Sequence, residues 1–371
     1  MTLTPDAAAP AGQGRRTSAG SAHSSASPFA APAAPDGPQG TVPLRKAPYG
    51  VMGLCFVLLL LAAASSVAFG TREVSLQALA DALSGEGDAH VQGVLQARWP
   101  RTVVGAAVGA ALAVSGVLIQ GLTRNPLGEP GLLGVTTGAS AAVVTATAFT
   151  GFSGGAGTVW VALPGALLVV IAVYVLGRPS GSSSVVPLVL SGAVVSAVLG
   201  AYIQAMILTR PDVFDSYRHW VVGSLAGVRF ESLWSVAPAL AAGLILAVVL
   251  APGLNTLALG EDMAVSLGSP VPLIRAGVIA SATLLAAAAT AAVGPIAFVG
   301  LAVPHLVRAM IGGDHRWQVP CAALLGAVLL LAADVVARVI ARPEELMVGV
   351  VTAFLGAPFL LAAVRRGKAG A

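Results

Sequence analysis

Apolar positions along this chain come in long unbroken runs. They follow neither the i, i+3, i+4 stripe of a half-buried helix nor the alternation of a strand. Polar residues collect in short clusters between the runs. A hydrocarbon core of about 30 Å and a rise of 1.5 Å per residue ask for roughly 20 residues per crossing. Ten stretches meet that length: 51–70, 102–122, 131–150, 158–177, 185–208, 233–253, 272–292, 295–311, 319–337 and 346–364. The seventh and eighth are one apolar run, Pro272 to Ile311, of about 40 residues. As a straight helix it would reach roughly 60 Å, twice a bilayer. It has to turn, and Gly294–Pro295 is the strong breaker pair near its middle. The pattern predicts an all-α integral membrane protein, a polytopic bundle of ten transmembrane helices.

Composition agrees. The 371 residues are 56% hydrophobic and 10% charged, where a soluble domain carries about 25%. So little charge cannot cover a water-facing surface. The 44 glycines and the abundant alanines let helices approach closely, where packing drives association in lipid. A β-barrel is excluded by runs that lack period-two alternation. Cys55 and Cys321 lie inside apolar runs without metal or redox spacing, so each is expected to be a buried, inert thiol.

Residues 1–48, rich in Ala, Pro, Ser and Gly, form no periodic pattern and are expected to be a disordered tail. Arg15–Arg16 is not followed by a hydrophobic segment for over thirty residues, so it is not an export signal, and the first helix is retained. An even number of spans puts both termini on one side. Arg15, Arg16, Arg45 and Lys46 ahead of the spans, and Arg365, Arg366 and Lys368 after them, place that side in the cytoplasm. The same topology leaves Arg72, Arg98, Arg101, Arg210, Arg218, Arg229, Arg338 and Arg342 outside, against the usual charge bias. Thr71 to Gly85, with Leu76, Leu79 and Leu83 behind a Ser75 cap, is expected to lie as a short helix on the outer interface.

No GxxxxGK[ST] phosphate loop, HExxH, CxxC or GxSxG occurs. His90, His219, His305 and His315 are not at metal-ligand spacing, and His23 lies in the tail. Neither a catalytic set nor a metal site is visible, which argues against an enzyme. Asp334 and Arg338 stand at i, i+4 on one helix face and are expected to pair. A proton relay would need isolated acids near the midplane. That weighs against an ion-coupled secondary transporter acting alone, the competing class of function.

Two polar interruptions stand out on the cytoplasmic side. RNPLGEPGLLG, Arg124 to Gly134, reads as a tight turn between the second and third spans. Pro126 and Pro130 stop helix propagation, Gly128 and Gly131 allow the reversal, and Arg124 beside Asn125 obeys the positive-inside preference. In the loop 254–271, LGEDMAVSLG (Leu259 to Gly268) reads as a two-turn helix. Gly260 caps it, Glu261 and Asp262 meet its amide end, Met263, Ala264 and Leu267 form an apolar face, and Gly268 terminates it. A lipid-facing helix would carry bases on its polar face. This one has two acids and no base, which favours a groove on a partner protein.

The stretch Arg98 to Ser140, RWPRTVVGAAVGAALAVSGVLIQGLTRNPLGEPGLLGVTTGAS, resembles the signature of the FecCD family, the permease subunits of type II ABC importers for ferric siderophores, haem and cobalamin. WVVGSLAG (Trp220–Gly227), LGEDMAVSLG, GPIAFVGLAVPHLVR (Gly294–Arg308), DHRW (Asp314–Trp317), ADVVARVI (Ala333–Ile340) and GVVTAFLGAPFLL (Gly349–Leu361) resemble the same family in order. The resemblance implies a ten-helix permease domain over 49–366 and a short cytoplasmic tail at 367–371, in a bacterial cytoplasmic membrane. It also implies a second permease copy, homo- or heterodimeric, cytoplasmic ATPase subunits, and an extracytoplasmic substrate-binding protein. ATP and magnesium would be bound on the ATPase and none on this chain; nucleic acid has no part. LGEDMAVSLG corresponds to the coupling helix that enters a groove on the ATPase. Arg98, Arg101 and Arg338 correspond to arginines that receive glutamates from the binding protein, and exposed guanidinium charge would steer that encounter. Ferric siderophore is the expected cargo, with haem and cobalamin as alternatives. Ser182–Ser184 and Val185–Val186, ahead of the fifth span, align too loosely to assign a gate.

Overall fold

The computed structural model describes residues 48–70, 89–152, 155–177 and 186–368. The tail 1–47, the expected interfacial helix in Thr71–Gly85, Ser182–Val185 and residues 369–371 lie outside the described residues. Within them the chain forms helices and turns only: α1 Pro48–Ala68, α2 Ala89–Thr123, α3 Val135–Thr150, α4 Thr158–Leu176, α5 Val186–Thr209, α6 Pro211–Trp220, α7 Phe230–Ala258, α8 Glu261–Ser266, α9 Val271–Val293, α10 Val299–Ile311, α11 His315–Ile340 and α12 Val348–Lys368. Ten of these follow the ten apolar stretches in order. The others are α8, the short helix expected in the 254–271 loop, and α6, which hydropathy does not announce. Pro211 occupies the first turn of α6, where a missing N–H costs nothing.

Seven of the helices are long and apolar enough to cross a membrane, while Val135–Thr150, Val299–Ile311 and the apolar part of α12 are shorter. The chain turns between α9 and α10 where the breaker pair lies. The 13 residues of α10 rise only about 20 Å, less than a bilayer. The irregular backbone at 294–298 is packed in protein: Gly294 sits so close to the Trp220 carbonyl and to Gly223 that it has no room for a Cβ, and Ser224 N–H donates to Val293 O at 2.9 Å. Non-helical backbone at such depth is tolerated where protein surrounds it or where it lines a cavity.

α2 and α9 form the centre of the bundle. Of their most apolar stretches 78% and 72% are buried, against 17% for α1 and α5. Small residues explain the difference. Gly109 of α2 and Gly326 of α11 meet backbone to backbone, as do Gly116 and Gly300 of α10, and a Cβ at any of the four would run into the facing helix. Ser115 Oγ donates to Ala282 O and Ser281 Oγ to Gly243 O, both at 2.7 Å, tying α2 to α9 and α9 to α7. Both thiols, Cys55 and Cys321, are buried and free. The apolar outward faces of α4, α5 and α7, with Leu168, Ile171, Val194, Val198 and Val248, are surfaces for lipid.

α2 corrects one expectation. Its helix does not start near 102 but at Ala89, running through Pro100 for 35 residues. The RWPR motif is therefore helix rather than an external loop. The helix directions gather two functional ends. One holds the last residues of α1 and α11, residues 98–101 of α2, and Glu345; the other holds the turn 124–134, the 257–270 loop and the start of α11. They are called here the arginine end and the turn end.

Candidate functional site

At the arginine end, Asp334 is fully buried and accepts from two arginines. Arg338, one turn on, reaches Oδ2 at 2.8 Å. Arg101 lays its guanidinium fork on the same carboxylate, with Nη2 2.7 Å from Oδ1 and Nε 3.1 Å from both oxygens. Arg101 Nη1 also meets Glu345 Oε2 at 2.8 Å. Arg338 is further held by the Ser66 carbonyl at 3.1 Å and the Ser66 hydroxyl at 3.0 Å. Arg98 donates to the Val67 and Ala68 carbonyls, each at 2.8 Å. A cation placed there complements the carboxyl end of α1. Gly70 leaves room beside it, and a Cβ there would displace the Arg98 guanidinium.

Spacing pointed to Asp334 with Arg338 alone. Arg101 is invisible to spacing as a partner because it lies 233 residues from Asp334 and 244 from Glu345. The expectation of exposed arginines is corrected: Arg98, Arg101 and Arg338 are 7%, 9% and 2% exposed. Helix α2 carries the first two inward, and burial in low dielectric demands carboxylate and carbonyl partners. The three still line a cleft of about 940 Å³, together with Ala226–Arg229, Gln96 and Glu345. Asp334 is no isolated midplane acid of the kind a proton relay needs.

At the turn end, the short helix α8 sits between Gly260 (φ +118°) and Gly268 (φ +73°). Ala264 faces the bundle and is fully buried, while Leu259, Met263, Val265 and Leu267 are all more than half exposed. One expectation changes here: Glu261 turns back to Arg275 of α9 at 3.2 Å, so the helix does have a basic neighbour, supplied from another segment. The loop is anchored from beneath. Asn255 Oδ1 accepts from His315 N–H at 2.9 Å and lies 2.8 Å from His315 Nδ1, and Asn255 Nδ2 donates to Asp314 Oδ1 at 2.6 Å. Asp314 also caps α11, accepting from Arg316 N–H at 3.0 Å. Sequence reasoning gave the DHRW motif no role; its Asp as an N-cap was the available signal.

The turn 124–134 is also built differently from the expectation. Gly128 and Gly131 are not in the left-handed region. The reversal uses Arg124 (φ +50°) and Gly134 (φ +80°). Gly128 is small because its neighbour is Thr123 Oγ1, 2.9 Å from where a Cβ would stand. Pro126 follows the end of α2, whereas Pro130 begins a single 3₁₀ turn, Pro130–Leu133, instead of stopping a helix. Asn125 Oδ1 accepts from Leu127 N–H at 2.9 Å. Glu129 Oε1 accepts from Phe298 N–H at 3.3 Å. Burial pushes the Glu129 carboxyl above its ordinary range, opposed by that N–H. The side chain borders a cavity of about 540 Å³, otherwise lined by Leu112 and by apolar residues, threonines and glycines of 130–136, 221–222, 286–300 and 349–354. Among the described residues no group of three His, Cys, Asp or Glu could hold a metal ion.

The model of the FecCD transport family matches residues 57–366. The chain is 42% identical over 334 residues to the ferric enterobactin transport system permease protein of Escherichia coli K12, covering 89% of this chain and 99% of that one. It is 34% identical to the hemin transport system permease protein of Yersinia pestis, over 87% of this chain and 98% of the other. A metal-chelate type ABC transporter solved in an inward-facing conformation superposes with a TM-score of 0.74 at 29% identity, covering 86% of this chain and 99% of that one. With a bundle of this architecture, matched over nearly its whole length, the chain belongs to the FecCD transport family and is a non-catalytic, multi-pass permease subunit of a type II ABC importer.

Proposed function

We propose that this permease carries a ferric siderophore across the bacterial cytoplasmic membrane, with both termini in the cytoplasm. Two permease copies stand together, ATPase subunits bind the turn end, and a substrate-binding protein docks on the arginine end. The observation that carries the partner assignment is α8 and its flanks: Met263 and Val265 on the helix, with Leu259 and Leu267 on either side of it, are large apolar side chains exposed outside the spanning segments. An exposed apolar patch beyond the lipid is a docking surface, and LGEDMAVSLG stands where the family has its coupling helix. ATP and magnesium belong to that ATPase; this chain binds neither. At the other end, a cleft lined by Arg98, Arg101 and Arg338 suits carboxylates from the lobes of a binding protein, because guanidinium forks pair with them bidentately. The cargo assignment rests on relatives, among them permeases for ferric enterobactin and iron(3+)-hydroxamate.

The test is reconstitution of the permease with its co-purifying ATPase and binding protein in liposomes, followed by uptake of iron-55 ferric enterobactin, hemin and cyanocobalamin. ATP-dependent uptake of the ferric chelate is the expected result. Uptake of hemin or cyanocobalamin in its place would overturn the cargo assignment. Uptake by the permease alone, driven by a proton gradient, would overturn the mechanism.

A further inference from the structure

Among the described residues, two that are not glycine have positive φ: Arg124 at +50° and Phe298 at +70°. Residues with a Cβ persist in that region only where their surroundings hold them. Both lie at contacts of the same segment. Arg124 Nη2 donates to the carbonyl of Leu257, the residue that also accepts from Gly260 N–H as the chain enters α8. Glu129 accepts from the N–H of Phe298, the residue that opens α10. Between these two grips the segment is tied to itself. Gly128 N–H donates to Asn125 O at 3.0 Å, Leu132 N–H to Glu129 O at 3.0 Å, and Gly134 N–H to Gly131 O at 2.9 Å. Its far side is wedged against α5, where Gly192 meets the Leu132 carbonyl too closely for any side chain. The segment is thus a stiff body with one hand on the coupling loop and the other on the 294–298 break. That break supplies Pro295, Ile296 and Ala297 to the wall of the 540 Å³ cavity.

We propose that the 124–134 segment is a strut that passes displacement of α8 to the cavity wall at 294–298, with Arg124 and Glu129 as its two positioning residues. The inference rests on the permease function and adds to it the route by which the turn end governs the cavity. Packed elements relay a shift when they have two discrete arrangements. Phe298 supplies one: held by Glu129 its backbone is left-handed, and released it relaxes to negative φ. Glu129 acts here as an acceptor for a backbone N–H, which a glutamine also provides.

The experiment is hydrogen–deuterium exchange on the full permease–ATPase complex in lipid nanodiscs, nucleotide-free and ADP-vanadate-trapped, followed over amides 296–301. Wild type is expected to change exchange in this stretch by about tenfold on trapping. Glu129→Ala and Arg124→Ala should lose that change when wild type and variants are compared at equal occupancy by the ATPase. Glu129→Gln should retain it. Arg124 is exposed, so its variant reports even where Glu129→Ala does not fold. A full change in either alanine variant, or none in wild type, overturns the strut. Absence of an ATPase from the wild-type complex would instead sink the permease assignment, and the strut with it.

Discussion

The two ends of this molecule reverse the usual assignment of polar to surface and apolar to core. The arginine end buries its charges: Asp334 is 0% exposed and shares its carboxylate between Arg101 and Arg338. The turn end exposes its apolar side chains, with Leu259, Val265 and Leu267 all above 60%. The charges sit inside because α2 and α11 bring them there, and each then needs a partner. The apolar groups sit outside because α8 is too short to bury both faces; its six residues put Ala264 in and Met263 out. The difference teaches that charge here is structure before it is recognition, while the exposed apolar surface has no partner among the described residues and is what the proposed ATPase contact would cover.

Breaking that contrast begins with Asp334→Ala. Among the described residues it leaves Arg101 with Glu345 alone and Arg338 with no carboxylate, only the Ser66 oxygens, and removing one partner of a buried pair costs about 3–5 kcal/mol. Thermal unfolding of the detergent-solubilised permease should show little folded protein; a wild-type midpoint would mean that the cluster is not structural. Next in size is Leu267→Asp, expected to leave the unfolding midpoint alone and weaken ATPase binding by about 2 kcal/mol, or roughly thirtyfold. Titration of purified ATPase onto the nanodisc-embedded permease measures this, and unchanged affinity would remove α8 from the interface.

Arg101→Lys sharpens the first half of the comparison. The positive charge stays but the fork that spans Asp334 and Glu345 is lost, at a cost of about 1–2 kcal/mol in stability. A loss as large as that of Asp334→Ala would mean that geometry matters more than charge. The smallest effect belongs to Arg275→Ala. Its pair with Glu261 is partly exposed, with side chains 21% and 30% accessible, so solvent screening keeps its contribution below about 1 kcal/mol. The unfolding midpoint should barely move, and a large shift would show that α8 is held by this pair rather than by Ala264 and the Asn255 anchor.

The helices themselves were legible because the bilayer sets a length, and ten runs of the right length stood in order. Depth in the bundle was not. α2 and α5 have nearly equal hydropathy, 2.2 and 2.1, yet 78% of one and 17% of the other is buried. Lipid and protein interior are equally apolar, so hydropathy cannot distinguish them; contacts such as Gly109 with Gly326 do. Pro100 and two arginines look like a loop in the sequence, and only remote partners make them acceptable inside a helix: the Val67 and Ala68 carbonyls for Arg98, and Asp334 and Glu345 for Arg101. The reversal that Gly128 and Gly131 suggest in the sequence is made by Arg124 and Gly134, since a glycine signals freedom without saying whether φ or close approach uses it.

What the sequence by itself determined is class and order: a polytopic bundle, its short helix in the 254–271 loop, its i, i+4 ion pair, and a family signature in motifs that survive as local strings. These follow from bilayer thickness, helix periodicity and capping, all properties of neighbouring residues. Only the tertiary structure decided which helices are central, that Arg101 shares Asp334, that Glu261 folds back on Arg275, and that a turn at 124–134 touches both the end of α7 ahead of α8 and the α9–α10 break. Those depend on side chains brought together from remote positions, where close packing and the cost of an unpaired buried charge choose the partner.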